Sequence, residues 1–375
     1  MKILQINASY KPAFIYGGPT MSVSMLSEQL VKAGESVNVF TTTANGNAEL
    51  PAKTETVDGV TVTYFKRLTK DHTHFSPALL ANTWRRAKDY DIVHIHAWWN
   101  LVSVLSCLAA IMRGVPVVLS PRGTLSSYSF NNKNSFIKNL IHRCLGLPLL
   151  KRSYIHTTSA IELAAIKSIG ATKNICNIPN FIKLGKLNQY VDDKPDASLK
   201  LIFFSRIEEK KGLDILLNAL KTVTIPYTLT IAGGGDDSYI DQLKKLAAEN
   251  NIADKISWIG FQGADKFDLL AKHDLMILPS HDENFGNVVI ESLSVGTAVL
   301  ISENVGLADY VAENNMGWIC QTNAASLSDA INRIGNHNPE LKNIREFAPA
   351  KVRDDFNEDN LVKKYIEMYN TIIKS

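Results

Sequence analysis

The sequence predicts an α/β protein with two doubly wound parallel sheets that face each other across a cleft. The chain has 375 residues, which suits two domains of ordinary size. Of these residues 45% are apolar and 21% are charged, a composition typical of globular proteins. Short apolar strands alternate with helical patterns in both halves of the chain, as they do in βαβ units.

The first half of the chain begins with a strand over 2–7, followed by a polar loop that contains Gly17 and Gly18. A helical pattern over 20–33 comes next, and Gly34 is placed to end it. The later elements of this half are strands over 37–41, 92–95 and 115–119 and a helix over 101–112.

The second half repeats this alternation. Its predicted strands cover 201–204, 227–232, 256–259, 275–278 and 298–301, and its clearest helices cover 213–220 and 357–374. The last of these helices carries Leu361, Tyr365, Ile366 and Tyr369 on one face. A polar, proline-bearing segment over 192–196 is typical of a linker. We therefore predict domains over 1–185 and 186–355, followed by a C-terminal helix over 356–375.

Composition and apolar runs exclude several classes of protein. The four cysteines (Cys107, Cys144, Cys176 and Cys320) form no C-x-x-C pair, so we expect no zinc site and a reduced cytoplasmic compartment. The start of the chain turns polar too soon for a signal peptide. The longest apolar run covers 101–112, whereas a membrane-spanning helix needs about 20 apolar residues. We expect a soluble cytoplasmic protein that at most lies on a membrane surface.

The net charge of +3 conceals an asymmetry between the two halves. Residues 1–180 carry 19 Lys and Arg against 9 Asp and Glu, and residues 181–375 carry 21 against 28. The basic half predicts an anionic partner, such as the inner face of a membrane or a phosphorylated substrate. Basic and apolar residues are interspersed over 133–152, and this is the segment that would lie on a membrane. A solvated basic surface and a core helix are the alternatives.

Two candidate phosphate sites follow predicted strands. Without Cβ atoms, Gly17 and Gly18 let the backbone approach a phosphate at a helix start, although a simple turn is the alternative. The loop is not G-x-G-x-x-G and no acid ends the second strand, which argues against a dinucleotide site. Arg206 and Lys211, before Gly212, can converge on one phosphoryl group. The alternative there is a charged surface loop.

A pair of glutamates follows the strand over 275–278. Glu283 lies in the loop, and Glu291, seven intervening residues later, lies about two turns inside the next helix in an apolar run. A buried carboxylate needs a partner, either ligand hydroxyls or a structural salt bridge. The N–H groups of Phe285, Gly286 and Asn287 at the helix start favour an anion.

Two histidines end the strand over 92–95. Alternation along the strand places His94 and His96 on one face, with His96 nearer the carboxyl end. Without a nearby carboxylate they make a poor metal site, so the choice lies between a structural and a catalytic role. Arg122, which follows the next strand, adds a cation to the same wall of the cleft.

Together these motifs resemble the retaining glycosyltransferases of family four, which have the GT-B fold of two Rossmann-like domains. The resemblance extends over nearly the full chain and is closest to enzymes of bacterial surface-polysaccharide synthesis. It rests on Gly17-Gly18, the segment 91–96, Arg206 with Lys211-Gly212, the glycines at 233–235, and an E-x7-E pair formed by Glu283-Asn284-Phe285-Gly286 and Glu291. Two departures, Ala298 and Asp282, touch no expected contact.

The resemblance implies a role for each residue. Arg206 and Lys211 would bind the diphosphate of a nucleotide-sugar, and the Gly17-Gly18 loop would close over it. Glu291 would bind the ribose, and Glu283 would bind the donor sugar. The remaining donor-side residues are the backbone of Asn284, Phe285, Gly286 and Asn287 and, near the nucleobase, Gly260 and Phe261. His96 and Arg122 would lie on the acceptor side, and the catalytic residues would be Glu283, His96, Arg206 and Lys211.

The resemblance also implies the chemistry. The first domain would bind a saccharide or lipid-linked saccharide acceptor, the second would bind a UDP- or GDP-linked sugar, and the last helix would cross back to the first domain. No cofactor and no nucleic acid partner is expected. No metal ion is expected either, because side-chain cations stabilise the departing diphosphate. A nucleotide-sugar epimerase of the same fold and a nucleotide- or sugar-binding protein without turnover are the alternatives.

Overall fold

The computed structural model describes residues 1–71, 73–126, 128, 142–170, 174–186, 198–263, 265–335 and 338–375. Its contacts divide the chain into two compact units. The first unit is Met1–Ile182 with Phe356–Ser375, and the second unit is Lys183–Asp355. The domain boundary predicted from the sequence lies three residues beyond this division. The predicted linker over 192–196 and residues 133–141 of the predicted membrane segment lie outside the described residues.

The first unit is built on an eight-stranded sheet in the order β10-β9-β8-β7-β1-β2-β6-β5. All neighbouring strands are parallel except β5 and β6. A separate antiparallel pair is formed by β3 (Ala44–Asn45) and β4 (Ala48–Glu49). The sheet strands are β1 (Lys2–Ile6), β2 (Ser36–Thr42), β5 (Thr54–Val57), β6 (Val60–Phe65), β7 (Ile92–His96), β8 (Val117–Ser120), β9 (Tyr154–Thr157) and β10 (Ile175–Asn177).

Helices cover both faces of this sheet. They are α1 (Gly18–Lys32), α2 (Pro77–Arg86), α3 (Leu101–Met112), α4 (Leu147–Lys151), α5 (Ala160–Ser168) and the C-terminal helix, which is numbered α13 (Glu358–Lys374). Because side chains alternate along a strand, Leu4 and Val93 enter one core, which includes α3 residues, while Ile3 and Ile92 enter the other. The second core also contains apolar residues of α1 and α13.

The second unit is built on a six-stranded parallel sheet in the order β13-β12-β11-β14-β15-β16. Its strands are β11 (Leu199–Phe204), β12 (Tyr227–Ala232), β13 (Ile256–Gly260), β14 (Leu275–Leu278), β15 (Ala298–Ser302) and β16 (Gly317–Cys320). Its helices are α6 (Leu213–Leu220), α7 (Asp237–Glu249), α8 (Lys266–Ala271), α9 (Asn287–Leu293), α10 (Ala308–Glu313), α11 (Ala324–Ile334) and α12 (Pro339–Asp355).

The fold class predicted from the sequence, α/β with two doubly wound domains, is confirmed. The helices predicted over 101–112 and 213–220 and the strands predicted over 227–232 and 275–278 have those bounds in the structure. The hairpin of β5 and β6 was not predicted, although the Asp58-Gly59 turn between them is a strong hairpin signal.

The strand orders determine where ligands are expected. In doubly wound sheets ligands bind at the carboxyl ends of strands where the strand order reverses. That reversal falls between β1 and β7 in the first unit and between β11 and β14 in the second. Each candidate motif follows one of these four strands or a neighbouring strand, except Gly260 and Phe261, which lie at the end of β13. No helix among the described residues is long and apolar enough to cross a membrane.

Candidate active site

In the second unit, Gly212 allows the loop after β11 to lie against the end of β14. Its φ of +68° is in the left-handed region, and a Cβ atom there would lie 2.2 Å from the carbonyl oxygen of Pro279. The amide of His281 donates to the carbonyl of Lys210 at 2.9 Å, which joins the two loops. This close approach places Lys211 beside Glu283.

Glu283 accepts a hydrogen bond from Nζ of Lys211 in an ion pair whose two side chains are largely buried. Burial is the largest single influence on the pKa of Glu283 and raises it. The charge and hydrogen bond of Lys211, together with the charges of Lys210 and Arg206, outweigh burial and hold the pKa below its ordinary value. Lys210 itself pairs with Asp282 at 2.7 Å, so the unusual Asp282 has a structural partner.

The backbone around Glu283 is held by the loop after β15. The amide of Glu283 donates to the carbonyl of Asn304 at 3.0 Å, and its carbonyl accepts from the amide of Gly306 at 2.8 Å. Gly286 precedes α9 with a φ of +87°, and a Cβ there would lie 3.0 Å from Val305. These contacts fix the position from which the Glu283 carboxylate extends.

Glu291 lies closer to the start of its helix than the sequence predicts. The structure begins α9 at Asn287, so Glu291 is about one turn inside the helix instead of two. Its carboxylate pairs with Nζ of Lys266 at 2.6 Å, and its side chain is 13% exposed. The contact that the structure shows is therefore the salt bridge, which was the alternative to ligand hydroxyls.

Arg206 lies on the surface of the second unit. Its side chain is 54% exposed and pairs with Glu208 at 2.7 Å. At the end of β13 the amide of Gly233 donates to the carbonyl of Gly260 at 2.9 Å, and the side chain of Phe261 is 74% exposed. An exposed aromatic ring at a strand end is available to a planar ligand. Phe285 is buried, so only its backbone is a candidate for ligand contact.

In the first unit, the glycine loop after β1 leads directly into α1. Gly17 has a φ of +68° and caps the helix, and Gly18 is the first helical residue. The helix therefore begins two residues earlier than predicted, and Gly18 belongs to the helix instead of the loop. Pro19 follows within the first turn, where its missing N–H costs nothing.

His94 and His96 lie on one face of β7, as the alternation predicts, with ring centroids 4.2 Å apart. Both are fully buried. Burial, together with the neighbouring positive charge of Arg122, lowers the pKa of each imidazole well below its ordinary value. Both rings are therefore neutral at pH 7, and each carries its proton on one nitrogen.

The hydrogen bonds of His96 determine its tautomer. Arg122 Nε, which can only donate, lies 3.2 Å from Nδ1 of His96. The proton of His96 is therefore on Nε2, which donates to Oε1 of Gln5. Gln5 pairs with His94 across the β1–β7 ladder, so its side chain lies on the same face of the sheet. Both nitrogens of His96 have partners within the first unit.

The donors and acceptors of the hydrogen bonds of His94 and His156 can be assigned by the same reasoning. Nε2 of His156 lies 2.9 Å from the carbonyl of Ile178, which can only accept, so Nδ1 of His156 accepts from Ser120 Oγ at 2.6 Å. Ser120 in turn accepts from Nε2 of His94 at 2.6 Å, and the hydroxyl of Tyr369 donates to Nδ1 of His94 at 2.7 Å. We call Gln5, Ser120, Tyr369 and the three histidines the histidine network.

Several residues that define these sites were missed at the sequence level. Gln5 interrupts an apolar strand, and a polar residue inside a short apolar strand is the signal that could have found it. His156 carries no such signal, because its strand also contains Thr157. Tyr369 was assigned to a helix face without a partner. Lys266 has no sequence signal, because its pairing with Glu291 depends on the packing of α8 near α9. Among the described residues no group of three or more His, Cys, Asp and Glu side chains could hold a metal ion.

Comparison with known proteins identifies the class. The family model described as glycosyl transferases group 1 matches residues 188–351, and that described as Glycosyltransferase Family 4 matches residues 16–186. An uncharacterised glycosyltransferase of Methanocaldococcus jannaschii is 24% identical over 407 aligned residues, which cover 98% of each chain. The D-inositol 3-phosphate glycosyltransferase of Corynebacterium urealyticum is 23% identical, over 95% of this chain and 91% of the relative.

Solved structures agree on the fold. The Anabaena protein HepE, crystallised with UDP and glucose, superposes with a TM-score of 0.76 at 20% identity, over 99% of this chain and 100% of HepE. The architecture and the family matches together define the class, and the chain is a glycosyltransferase with the GT-B fold. Within that class it is a GT4-like enzyme, with the family 4 domain first and the group 1 domain second.

Proposed function

We propose that the chain transfers a sugar from a UDP- or GDP-linked donor to a saccharide acceptor, with retention of anomeric configuration, in the synthesis of a cell-surface polysaccharide. The observation that carries this proposal is the Lys211–Glu283 pair at the strand-order reversal of the second unit. A cation and an ionised carboxylate side by side suit a substrate that joins a diphosphate to a sugar. HepE, whose structure contains UDP and glucose, has the same fold.

Lys211 and Arg206 would stabilise the charge that develops on the departing diphosphate. Lys211 is nearly buried, so its charge acts in a medium of low dielectric constant, where it is most effective. When the diphosphate binds, it replaces Glu283 as the partner of Lys211, and Glu283 becomes available to the sugar hydroxyls. Arg206 is exposed and turns from Glu208 to the phosphate.

In this proposal the enzyme needs neither a cofactor nor a metal ion, since side-chain cations carry out the electrostatic work. The acceptor proton passes to the departing phosphate oxygen, so no separate general base is required. The bond from the anomeric carbon to the phosphate oxygen breaks, and the bond to the acceptor oxygen forms on the same face of the sugar. Glu291 would exchange Lys266 for the ribose hydroxyls, and Phe261 would contact the nucleobase.

The acceptor would bind to the first unit, near His96 and Arg122. The basic balance of residues 1–180 supports a lipid-linked saccharide and attachment to the anionic inner face of a membrane. Flotation with liposomes that contain anionic lipid tests the attachment. Absence of binding at low salt would refute it without affecting the transfer chemistry.

The first test is a titration of the purified protein with UDP, GDP, ADP and NAD, first without metal and then with magnesium. We expect saturable, metal-independent binding of UDP or GDP that weakens in the Arg206→Ala variant. Binding of NAD alone, or of no nucleotide, would refute the proposed function. Glu283→Ala should keep nucleotide affinity and lose turnover, whereas a binding protein has no turnover to lose.

The second test concerns stereochemistry. With the donor class known, NMR of the product formed from the matching nucleotide-sugar shows the configuration at the new anomeric centre. Retention supports the proposal, and inversion would refute the retaining mechanism.

A further inference from the structure

Arg122 is a cation, and within the described residues its hydrogen bonds go only to neutral groups. Its Nε donates to neutral His96, and its Nη1 donates to the amide oxygen of Asn180 at 2.7 Å. It forms no ion pair with any other described residue. Arg122 is partly buried, and a charge that loses part of its hydration is normally paired, because removing an unpaired ion from water is costly. A guanidinium group that donates only to neutral acceptors therefore lacks the anionic partner that such a charge normally has.

The carboxyl group that affects Arg122 most is already engaged elsewhere. Glu162 is buried, and its Oε1 accepts the amide of Gly123 at 2.7 Å. Its Oε2 accepts the amide of Thr158 at 2.8 Å. Glu162 thus holds the turn that carries Arg122 and does not itself pair with the guanidinium.

The backbone at Arg122 gives a second, independent observation. Arg122 has a φ of +52° and is followed by Gly123 with a φ of +78°. Residues other than glycine rarely adopt this left-handed conformation, and when they do they cluster at functional sites. The turn places the guanidinium at the carboxyl end of β8, beside the strand that carries His96.

We propose that Arg122 binds an anionic group of the acceptor, either a phosphate or a carboxylate. The proposal rests on the proposed function, since it requires the first unit to hold the acceptor. The guanidinium has five N–H groups, of which the contacts above use two. His96 and Asn180 are positioning residues that orient the fork, and the remaining N–H groups match two oxygens of a phosphate or carboxylate.

The experiment uses the full chain with its nucleotide site saturated by UDP or GDP, whichever binds in the titration described above. Glucose 1-phosphate, glucuronate and glucose are then titrated and followed by ligand-observed NMR. The variants are Arg122→Gln and Arg122→Lys, with Arg85→Gln as the control, because Arg85 is an exposed arginine of the same unit. Nucleotide affinity and thermal melting are measured for each variant.

We expect at least one charged sugar to bind and neutral glucose to bind more weakly. Arg122→Gln should lower affinity for the charged sugar about tenfold or more, Arg122→Lys should lower it less, and Arg85→Gln should leave it unchanged. Glucose 1-phosphate and glucuronate distinguish a phosphate from a carboxylate. The Arg122 variants should keep wild-type nucleotide affinity, and their thermal melting shows whether the first unit remains folded.

Three results would overturn the proposal. One is that neither charged sugar binds in an Arg122-dependent manner, and another is that glucose binds as well as they do. The third is that Arg122→Gln weakens nucleotide binding instead, which would assign Arg122 to the donor. Failure of every nucleotide to bind would refute the proposed function itself, so the two failures are distinguishable.

Discussion

The two candidate sites lie at equivalent places in two similar sheets, but one is built from ion pairs and the other mainly from neutral side chains joined by hydrogen bonds. In the second unit, charged side chains neutralise one another in the pairs Lys211–Glu283 and Lys266–Glu291. In the first unit, three neutral histidines are held by directed hydrogen bonds, and Arg122 is the cation beside them. Ion pairs can exchange a partner for a charged ligand, whereas a directed neutral network has one arrangement that satisfies every atom. We infer that the first arrangement responds to a ligand and the second holds its shape.

The largest effect is expected from breaking the Lys211–Glu283 pair. Lys211→Ala removes the buried cation and leaves the Glu283 carboxylate unpaired, so turnover should fall about 100- to 1000-fold. Steady-state kinetics with the matching nucleotide-sugar measures the loss. Lys210→Ala is the matched control, because Lys210 is the adjacent lysine but is more exposed and pairs with Asp282. Equal losses in both variants would contradict a specific role for Lys211.

The histidine network should make the first unit sensitive to acid. Burial lowers the pKa of His156 to about 3, and lowers the pKa of His94 and His96 well below 6.5. The unfolded chain therefore binds more protons than the native state once the pH falls below about 6.5, and stability decreases with falling pH. His156 alone should cost about 2 kcal/mol between pH 7 and pH 5, and His94 and His96 change stability in the same direction.

Hydrogen exchange of peptides from β1, β7 and β8 measures this loss locally. We expect their protection to fall from pH 7 to pH 5 after correction for intrinsic exchange. The dependence should be weaker in His156→Gln, which removes one of the titrating groups. Peptides of β11 and β14 in the second unit are the comparison, and their loss should be smaller because burial lowers the pKa of one histidine there, His273, instead of three. If both sheets lose protection equally, the prediction that the first unit is more sensitive to acid than the second is wrong.

How far the sequence predicts these sites depends on the kind of interaction. Glu283 and Lys211 were found because charged residues stand out in loops after apolar strands, and Glu291 because it interrupts an apolar helical run. All three match a family pattern. His94 and His96 were found by alternation along one strand. Their partners were not, because Gln5, Ser120, His156 and Tyr369 are brought together by strand order and by the packing of α13. Strand order is a long-range property that local patterns do not contain. The Lys266–Glu291 pair was missed because it depends on the packing of α8 near α9, which local patterns do not contain either.

A smaller effect should distinguish the two partners of Glu291. If Glu291 exchanges Lys266 for the ribose, the wild-type protein should prefer UDP or GDP over the 2′-deoxy form of the same nucleotide by about tenfold. Glu291→Gln should reduce that preference, since a neutral amide accepts more weakly than a carboxylate. Calorimetric titration of the two nucleotides into both proteins measures the difference. An unchanged preference would leave Glu291 with only its salt bridge.

The smallest effect tests whether the neutral network is as directed as its geometry indicates. Tyr369→Phe removes the only hydroxyl that donates to Nδ1 of His94 in the described structure and leaves that buried nitrogen unsatisfied, at a cost of about 1 kcal/mol. Nε2 of His94 already donates to Ser120, and Ser120 is committed to His156, so the proton of His94 has no alternative acceptor. Ring-nitrogen NMR should therefore show the Nε2–H tautomer of all three histidines in both proteins. Tyr154→Phe, whose hydroxyl is near the surface, is the control for stability. A tautomer change in Tyr369→Phe would show that the histidine network can rearrange. That result would contradict our inference that the first unit, unlike the second, holds its shape.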